Sequence, residues 1–205
     1  ALESPLRIQP EPGLKLIETL LWDGAAYPRL PLHLARLARS AATFGFACDL
    51  SALHSLLPRP QGAARIRLTL GQDGAEVTQA PLPPAAPLWH LALADPRLDS
   101  TDPWLAHKTT RRALYDNTRA ALPQDVDEVI FANENNEICE GTITNIFFDR
   151  GQGLRTPPLR CGLLPGVLRA ELACPEEVLT LSDLPRTRLW VGNALRGLIP
   201  ARLIL

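Results

Sequence analysis

Residues 31–46, PLHLARLARSAATFGF, constrain the fold of this chain more than any other stretch. They place Leu32, Leu34, Leu37, Ala38, Ala41 and Phe44 on overlapping helical faces, with Pro31 suited to a first turn and Gly45 to a stop. Such a helix buries its apolar face against another element, and the flanking sequence offers strands. Residues 14–22, LKLIETLLW, read as a strand, and the Asp23-Gly24 pair after them is a turn signal, so a hairpin is expected to open the fold. A second, shorter helix is expected at 50–57, ended by Pro58 and Pro60. The segment AARIRLTLGQDGAEVTQAPL alternates as a β-hairpin, with Arg65 and Arg67 on one face and Ile66, Leu68 and Leu70 on the other. A small α/β unit is complete by about Leu82.

Pro81, Pro83, Pro84 and Pro87 form a stiff connector, and residues 89–94 read as one more strand crossing out of the first unit. The boundary is placed after it, giving domains 1–94 and 95–205. Beyond it the sequence predicts a helix over 110–122, a strand over 128–132, a tight turn at Asn135-Asn136, a helix starting at Pro165 and a last strand pair flanking Gly192 and Gly197. The fold class is α/β (α+β).

Composition bounds the function. The net charge of -1, from 21 basic and 22 acidic residues, creates no global field for nucleic acid or an anionic membrane, so any anion is held locally. Cys48, Cys139, Cys161 and Cys174 are widely spaced, which disfavours a zinc site and a disulfide framework; no metal, reduced thiols and a cytoplasmic setting are expected. No apolar run is long enough to span a bilayer, and the first twenty residues carry Glu3, Glu11 and Glu18 rather than a basic head and apolar core.

Several segments could carry chemistry. Residues 137–148, EICEGTITNIFF, set Glu140, Gly141, two hydroxyls and Asn145 beside an apolar run, and equally describe a strand entered through a turn. Lys108 follows the apolar Trp104-Leu105-Ala106 run; beside cations such as Arg111 a desolvated lysine could form a Schiff base, whereas most lysines are solvated charges. Residues 156–169, TPPLRCGLLPGVLR, feed a helix start where exposed N–H groups can seat a phosphate, with Gly166 permitting close approach; an ordinary loop reads the same way. Residues 190–197, WVGNALRG, form either a sheet-edge turn or a ligand loop. On the first helix Arg36 could fork onto a phosphate, or form with His33 a polar edge.

In order and spacing, Lys108, the Glu140-Gly141 to Asn145-Ile146-Phe147 segment and the Leu163-Leu164-Pro165-Gly166-Val167-Leu168-Arg169 segment resemble the class IV aminotransferases, fold-type IV pyridoxal-phosphate enzymes. His33 to Leu37 followed by Ser40-Ala41 is similar to their early helix, and Gly192-Asn193-Ala194-Leu195 to their last ligand loop, so the resemblance covers the chain from about Leu16 onward. It implies a small N-terminal α/β domain, a larger C-terminal domain with a barrel-like sheet, a homodimer and a small-molecule amino substrate. It also implies that Lys108 holds pyridoxal 5'-phosphate as a Schiff base and moves the substrate proton, with Glu140 at the pyridine nitrogen. The phosphate would lie on Arg36, on backbone N–H groups at Gly166, Val167 and Leu168, and on the turn at Asn193 and Ala194. For a lyase substrate's carboxylates Arg160 and Arg196 are the candidates, each in a loop bordering the inferred site, and both read equally as surface charges.

Departures bear on the reaction. Branched-chain transaminases carry a tyrosine five residues after the lysine, where this chain has Ala113, with Tyr115 two positions further on. D-amino-acid transaminases carry basic residues in the loop after the strand that here ends in the short Gly71-Gln72-Asp73-Gly74 turn. The pattern is closest to aminodeoxychorismate lyase, which releases 4-aminobenzoate and pyruvate; an aminotransferase using a 2-oxo acid and a non-catalytic cofactor binder are the alternatives.

Overall fold

The computed structural model describes residues 7–204; the outermost residues of the two expected domains lie outside them. The chain forms two compact units, Ala1–Pro83 with His107–Arg111, and Pro84–Ala106 with Arg112–Leu205.

The first unit is an antiparallel sheet of β1 (Lys15–Trp22), β2 (Ala64–Gly71) and β3 (Gly74–Ala80), in that order, with helices α1 (Leu30–Phe44) and α2 (Leu50–Leu56). Alternation puts Leu16, Glu18, Leu20 and Trp22 of β1 on one face, opposite Leu70, Leu68 and Ile66 of β2, and all of these are buried. The helix α1 packs on β1 and buries Leu37, Ala41 and Phe44. Its end is the expected one: Gly45 takes φ 72° and donates its N–H to the Ala41 carbonyl. The turn between β2 and β3 consists of Gln72 and Asp73 alone, with Gly71 paired to Gly74 at φ 120°.

Two expectations are corrected here. Asp23-Gly24 does not open a hairpin: Asp23 Oδ1 accepts from the N–H groups of Ala25 and Ala26, closing a local turn that leads into α1, and β1 finds its partner in the distant β2. Nor does a helix span 110–122. Residues 108–110 run extended along the free edge of β1, with Ile17 N donating to Lys108 O at 2.8 Å and Thr110 N to Lys15 O at 2.9 Å, and helix α3 begins only at Ala113 (Ala113–Ala120).

The second unit is built on a mixed sheet of β4 (Trp89–Leu93), β5 (Glu128–Ile130), β6 (Asn145–Asp149), β7 (Arg188–Asn193) and β8 (Gly197–Leu203), in the order β5-β4-β8-β7-β6. The strand expected to leave the first unit, β4, is therefore interior to this sheet, parallel to both β5 and β8. That moves the division from residue 94 to Pro83, within the proline connector. Beyond β5 the ladder continues: Phe131 N donates to Glu140 O at 2.8 Å, Ala132 bridges Ile138, and Glu140 bridges Asn145 at the start of β6. The two sheet edges are thereby linked through residues 131–145, which gives the expected barrel-like curl. Its filling includes Leu91, Ile130, Ile138, Phe148 and Val191, each fully buried or nearly so and each contributing roughly 1.5–3 kcal/mol of transfer free energy. The short helix α4 (Val167–Leu172) packs against β7. No helix of the described residues is long and apolar enough to cross a membrane.

Candidate active site

In the first unit, strand β1 separates two groups of side chains. On its core face Glu18 is 2% exposed and meets α1, where the i, i+3 spacing of His33 and Arg36 turns both toward it. Arg36 donates from Nε to Glu18 Oε1 at 2.8 Å and from Nη2 to Oε2 at 2.6 Å, and His33 Nδ1 lies 2.6 Å from Oε2. Burial alone raises a carboxyl pKa, but Arg36 and His33 outweigh it and hold Glu18 at about 2. Burial lowers the His33 pKa against the opposing pull of Glu18, and its Nε2 is a buried nitrogen without a partner among the described residues. Arg36 is thus a buried cation already committed in part to Glu18.

The other face of β1 carries Thr19, and Lys108 donates from Nζ to Thr19 Oγ1 at 3.4 Å. Lys108 is half-buried, and its main chain is fixed by the pairing with β1. Arg111, the cation expected to act on it, faces Glu11 at 3.5 Å. Directly across from Thr19 stands Arg67, and across from Leu21 stands Arg65, both exposed and neither with a hydrogen-bond or ion-pair partner for its side chain among the described residues. These two arginines share the lysine's sheet face. Alternation in residues 64–71 already put them on one side; only the β1–β2 register shows which side matters.

In the second unit Glu140 is 5% exposed. Tyr115 OH donates to its Oε1 at 2.8 Å and Leu164 N to its Oε2 at 2.9 Å. Burial pushes its carboxyl up to about 7, against the smaller lowering by Leu164, Tyr115 and Arg112, with the charge of Glu128 adding to the rise. The tyrosine that follows the lysine segment two positions late therefore bonds Glu140. Its hydroxyl is held neutral by burial first and by Glu140 second.

Asn145 ties Glu140 to the α4 terminus: its Nδ2 donates to Leu164 O at 2.9 Å, and a Cβ at Gly166 would collide with its Oδ1. Gly166 is the N-cap of α4 and has no side chain to cap it, so the N–H groups of the first turn at Val167 and Leu168 are not met by a cap. Leu168 in turn approaches Gly192, where a Cβ would stand 2.7 Å from its Cδ2. Asn193 closes the set. Its Oδ1 accepts from Leu195 N at 3.1 Å and Arg196 N at 2.9 Å, and its Nδ2 donates to Ile143 O at 3.1 Å, so its side chain shapes the turn that carries Ala194.

Glu140, Gly166, Val167, Leu168, Asn193 and Ala194 thus belong to one network in the second unit, and Lys108 with Arg36 to the two faces of β1 in the first. Arg160 and Arg196 already have neighbours: Arg160 is 65% exposed and 3.3 Å from Glu137, while Arg196 lies 5.0 Å over the Trp89 ring and donates to Pro84 O. Asn145, Tyr115, Arg65 and Arg67 stand out in the sequence, but only the folded chain gives them their partners and their faces.

The family model described as amino-transferase class IV matches residues 15–204. A protein of Schizosaccharomyces pombe described as "Putative aminodeoxychorismate lyase" is 30% identical over 167 residues, spanning 77% of this chain and 72% of that one. The crystal structure of a "Putative amino-acid aminotransferase" from Mesorhizobium loti is 48% identical with a TM-score of 0.87, covering 93% of this chain and 100% of that one. A pyridoxal-phosphate-bound hypothetical aminotransferase from Mycobacterium tuberculosis, 21% identical, shares the fold with a TM-score of 0.80 over 92% of this chain and 81% of that one.

Proposed function

The chain belongs to the amino-transferase class IV family, and from that membership we propose that it is an aminodeoxychorismate lyase, releasing 4-aminobenzoate and pyruvate. It is a pyridoxal-phosphate-dependent enzyme. Its residues fit that cofactor: each oxygen of the buried Glu140 carboxyl accepts one hydrogen bond, which leaves acceptor capacity for a ring N–H, and the first turn of α4 has no side-chain cap.

Lys108 would hold the cofactor's aldehyde and Glu140 its ring nitrogen. The α4 terminus at Gly166, Val167 and Leu168, the turn at Asn193 and Ala194, and Arg36 would hold its phosphate. When bound, the cofactor supplies an electron sink for the electrons released at the substrate carbon that bears the amine. Freed from the aldehyde by the incoming substrate amine, Lys108 Nζ would take the proton from that carbon as general base and return one to the departing enolpyruvyl group as general acid. Tyr115 and Leu164 keep the Glu140 carboxyl aimed. Arg65 and Arg67, exposed on the face that carries Lys108, are the first choice for the substrate's carboxylates, ahead of Arg160 and Arg196, whose guanidinium groups already have neighbours.

The observation that carries the choice of lyase is the two-residue β2–β3 turn, which has no room for the basic carboxylate-binding loop of D-amino-acid transaminases, while Ala113 stands where branched-chain transaminases carry a tyrosine. The Schizosaccharomyces pombe relative supports it. The likeness to the Mesorhizobium loti protein favours an aminotransferase as the second reading. Incubation with aminodeoxychorismate decides between them. The lyase yields 4-aminobenzoate and pyruvate in equal amounts without any 2-oxo acid, whereas amino transfer to 2-oxoglutarate with neither product rejects it. A homodimer is part of the proposal and is checked by light scattering of the purified protein.

A further inference from the structure

Glu128 has no part in the chemistry above, yet it is fully buried at the first position of β5. Its Oε1 accepts hydrogen bonds from Val129 N at 3.1 Å, Thr142 N at 3.0 Å and Thr142 Oγ1 at 2.6 Å. Its Oε2 accepts from Ile143 N at 3.1 Å and Thr144 Oγ1 at 3.0 Å. From α3, Arg119 Nη1 stands 3.6 Å from Oε1 and donates to Thr142 Oγ1 at 3.2 Å. Residues 141–144 are wrapped around this carboxylate as backbone N–H groups wrap a bound anion. Gly141 makes the wrapping possible, since a Cβ there would stand 2.7 Å from Glu128 Cδ and Oε2.

A four-residue turn does not need a buried charge, and burying one is expensive unless it is fully bonded. What this turn joins gives the expense a purpose. It leaves Glu140 and returns at Asn145, which bridges Glu140; Asn145 holds the Leu164 carbonyl, and the Leu164 N–H holds the Glu140 carboxyl. The ring of contacts closes on Glu140, and Glu128 is its internal anchor. We propose that Glu128 is a positioning residue for Glu140, an internal anion that fixes the turn at 141–144 and thereby the aim of the Glu140 carboxyl. This rests on the reading of Glu140 as the partner of the cofactor's ring nitrogen.

Glu128 also acts on Glu140 through its charge. The groups facing Glu140 are Arg112 and Tyr115 from the start of α3, the neighbouring Cys139, the Leu164 N–H and Glu128 from β5. Of these Arg112, Tyr115 and Leu164 favour the ionised Glu140 carboxyl, and Glu128 opposes it.

The test is Glu128→Gln in the full chain, with circular dichroism as the check of folding. In cofactor-free protein labelled at glutamate Cδ, with the Glu140 signal identified by its loss in Glu140→Gln, the titration midpoint falls below the wild-type value of about 7. In the cofactor-loaded enzyme kcat falls by roughly 10- to 100-fold with KM held within about threefold, as for residues that orient a reacting group from behind. A folded variant that keeps either the wild-type midpoint or the wild-type kcat overturns the proposal. If Glu128→Gln does not fold, Thr144→Val removes one donor and leaves the carboxylate. A several-fold loss of kcat at constant KM then supports the proposal, and an unchanged kcat overturns it. If the chain takes up no pyridoxal phosphate, the proposed function fails, while the cofactor-free titration still judges Glu128.

Discussion

Two buried carboxylates in this protein are pushed in opposite directions, and each sets a different pH dependence. Glu140 titrates at about 7 against an ordinary 4.5, so folding favours its protonated form. Its stabilising contribution in cofactor-free protein is fully present below pH 4.5 and is lost as the pH rises through 7. Glu18, held at about 2, contributes stability that is present above pH 4.5 and is lost as the pH falls through 2. Urea unfolding at pH 8 should therefore find Glu140→Gln more stable than the wild type, by on the order of 3 kcal/mol, with the gain gone at pH 4. Glu18→Gln should be less stable at pH 8 by roughly 3–5 kcal/mol, because Arg36 and His33 are left buried without their anion. Equal stabilities at pH 8 would count against both assignments. Of these groups only Glu140 was legible in the sequence, through its place in the 137–148 segment. Glu18 and Glu128 sit within strand patterns, where a charge reads as a solvated face, and their burial depends on partners 15 to 18 residues away for Glu18 and 14 to 16 for the turn around Glu128.

Among the elements, β1, β2, β3, α1, α2, β7 and β8 follow local patterns closely, since alternation, helical periodicity and glycine stops need only neighbours along the chain. The misplaced elements depend on distant partners. β4 reads as a strand, but its parallel pairing with β5 and β8 cannot be seen in its own residues. The extended run at 108–110 is imposed by the edge of β1. The start of α4 also shifts: Pro165 precedes the helix, Gly166 is the cap, and Val167 is the first helical residue. Gly166 is required by the approach of Asn145 rather than by a positive φ. Gly166→Ala should displace the Asn145 side chain from Leu164 and cost about 1–3 kcal/mol in urea unfolding. It should also weaken pyridoxal-phosphate affinity, measured by fluorescence quenching; an unchanged affinity would separate the α4 terminus from the phosphate.

For the whole molecule, the proline connector at 81–87 marks the division into units, but the chain crosses it again to place Lys108 on β1 and once more to continue into α3. The docking uses the main chain of Lys108, so its side chain can be removed without disturbing it. Lys108→Ala should hold its urea midpoint within the equivalent of about 0.5 kcal/mol while losing turnover and the visible absorbance of lysine-bound cofactor. A large loss of stability would show that the side chain also holds the fold.

The edge of β1 has a consequence for biosynthesis. A nascent chain that has emerged only as far as Pro83 holds all three strands of the first sheet, while the outer edge of β1 still lacks the segment that covers it and is open to solvent or to other chains. That edge is covered only when Arg111 has cleared the ribosome, a delay on the order of seconds at ordinary elongation rates. The arrival of the segment that carries Lys108 is therefore also what ends the period in which the young first unit can pair with a neighbour.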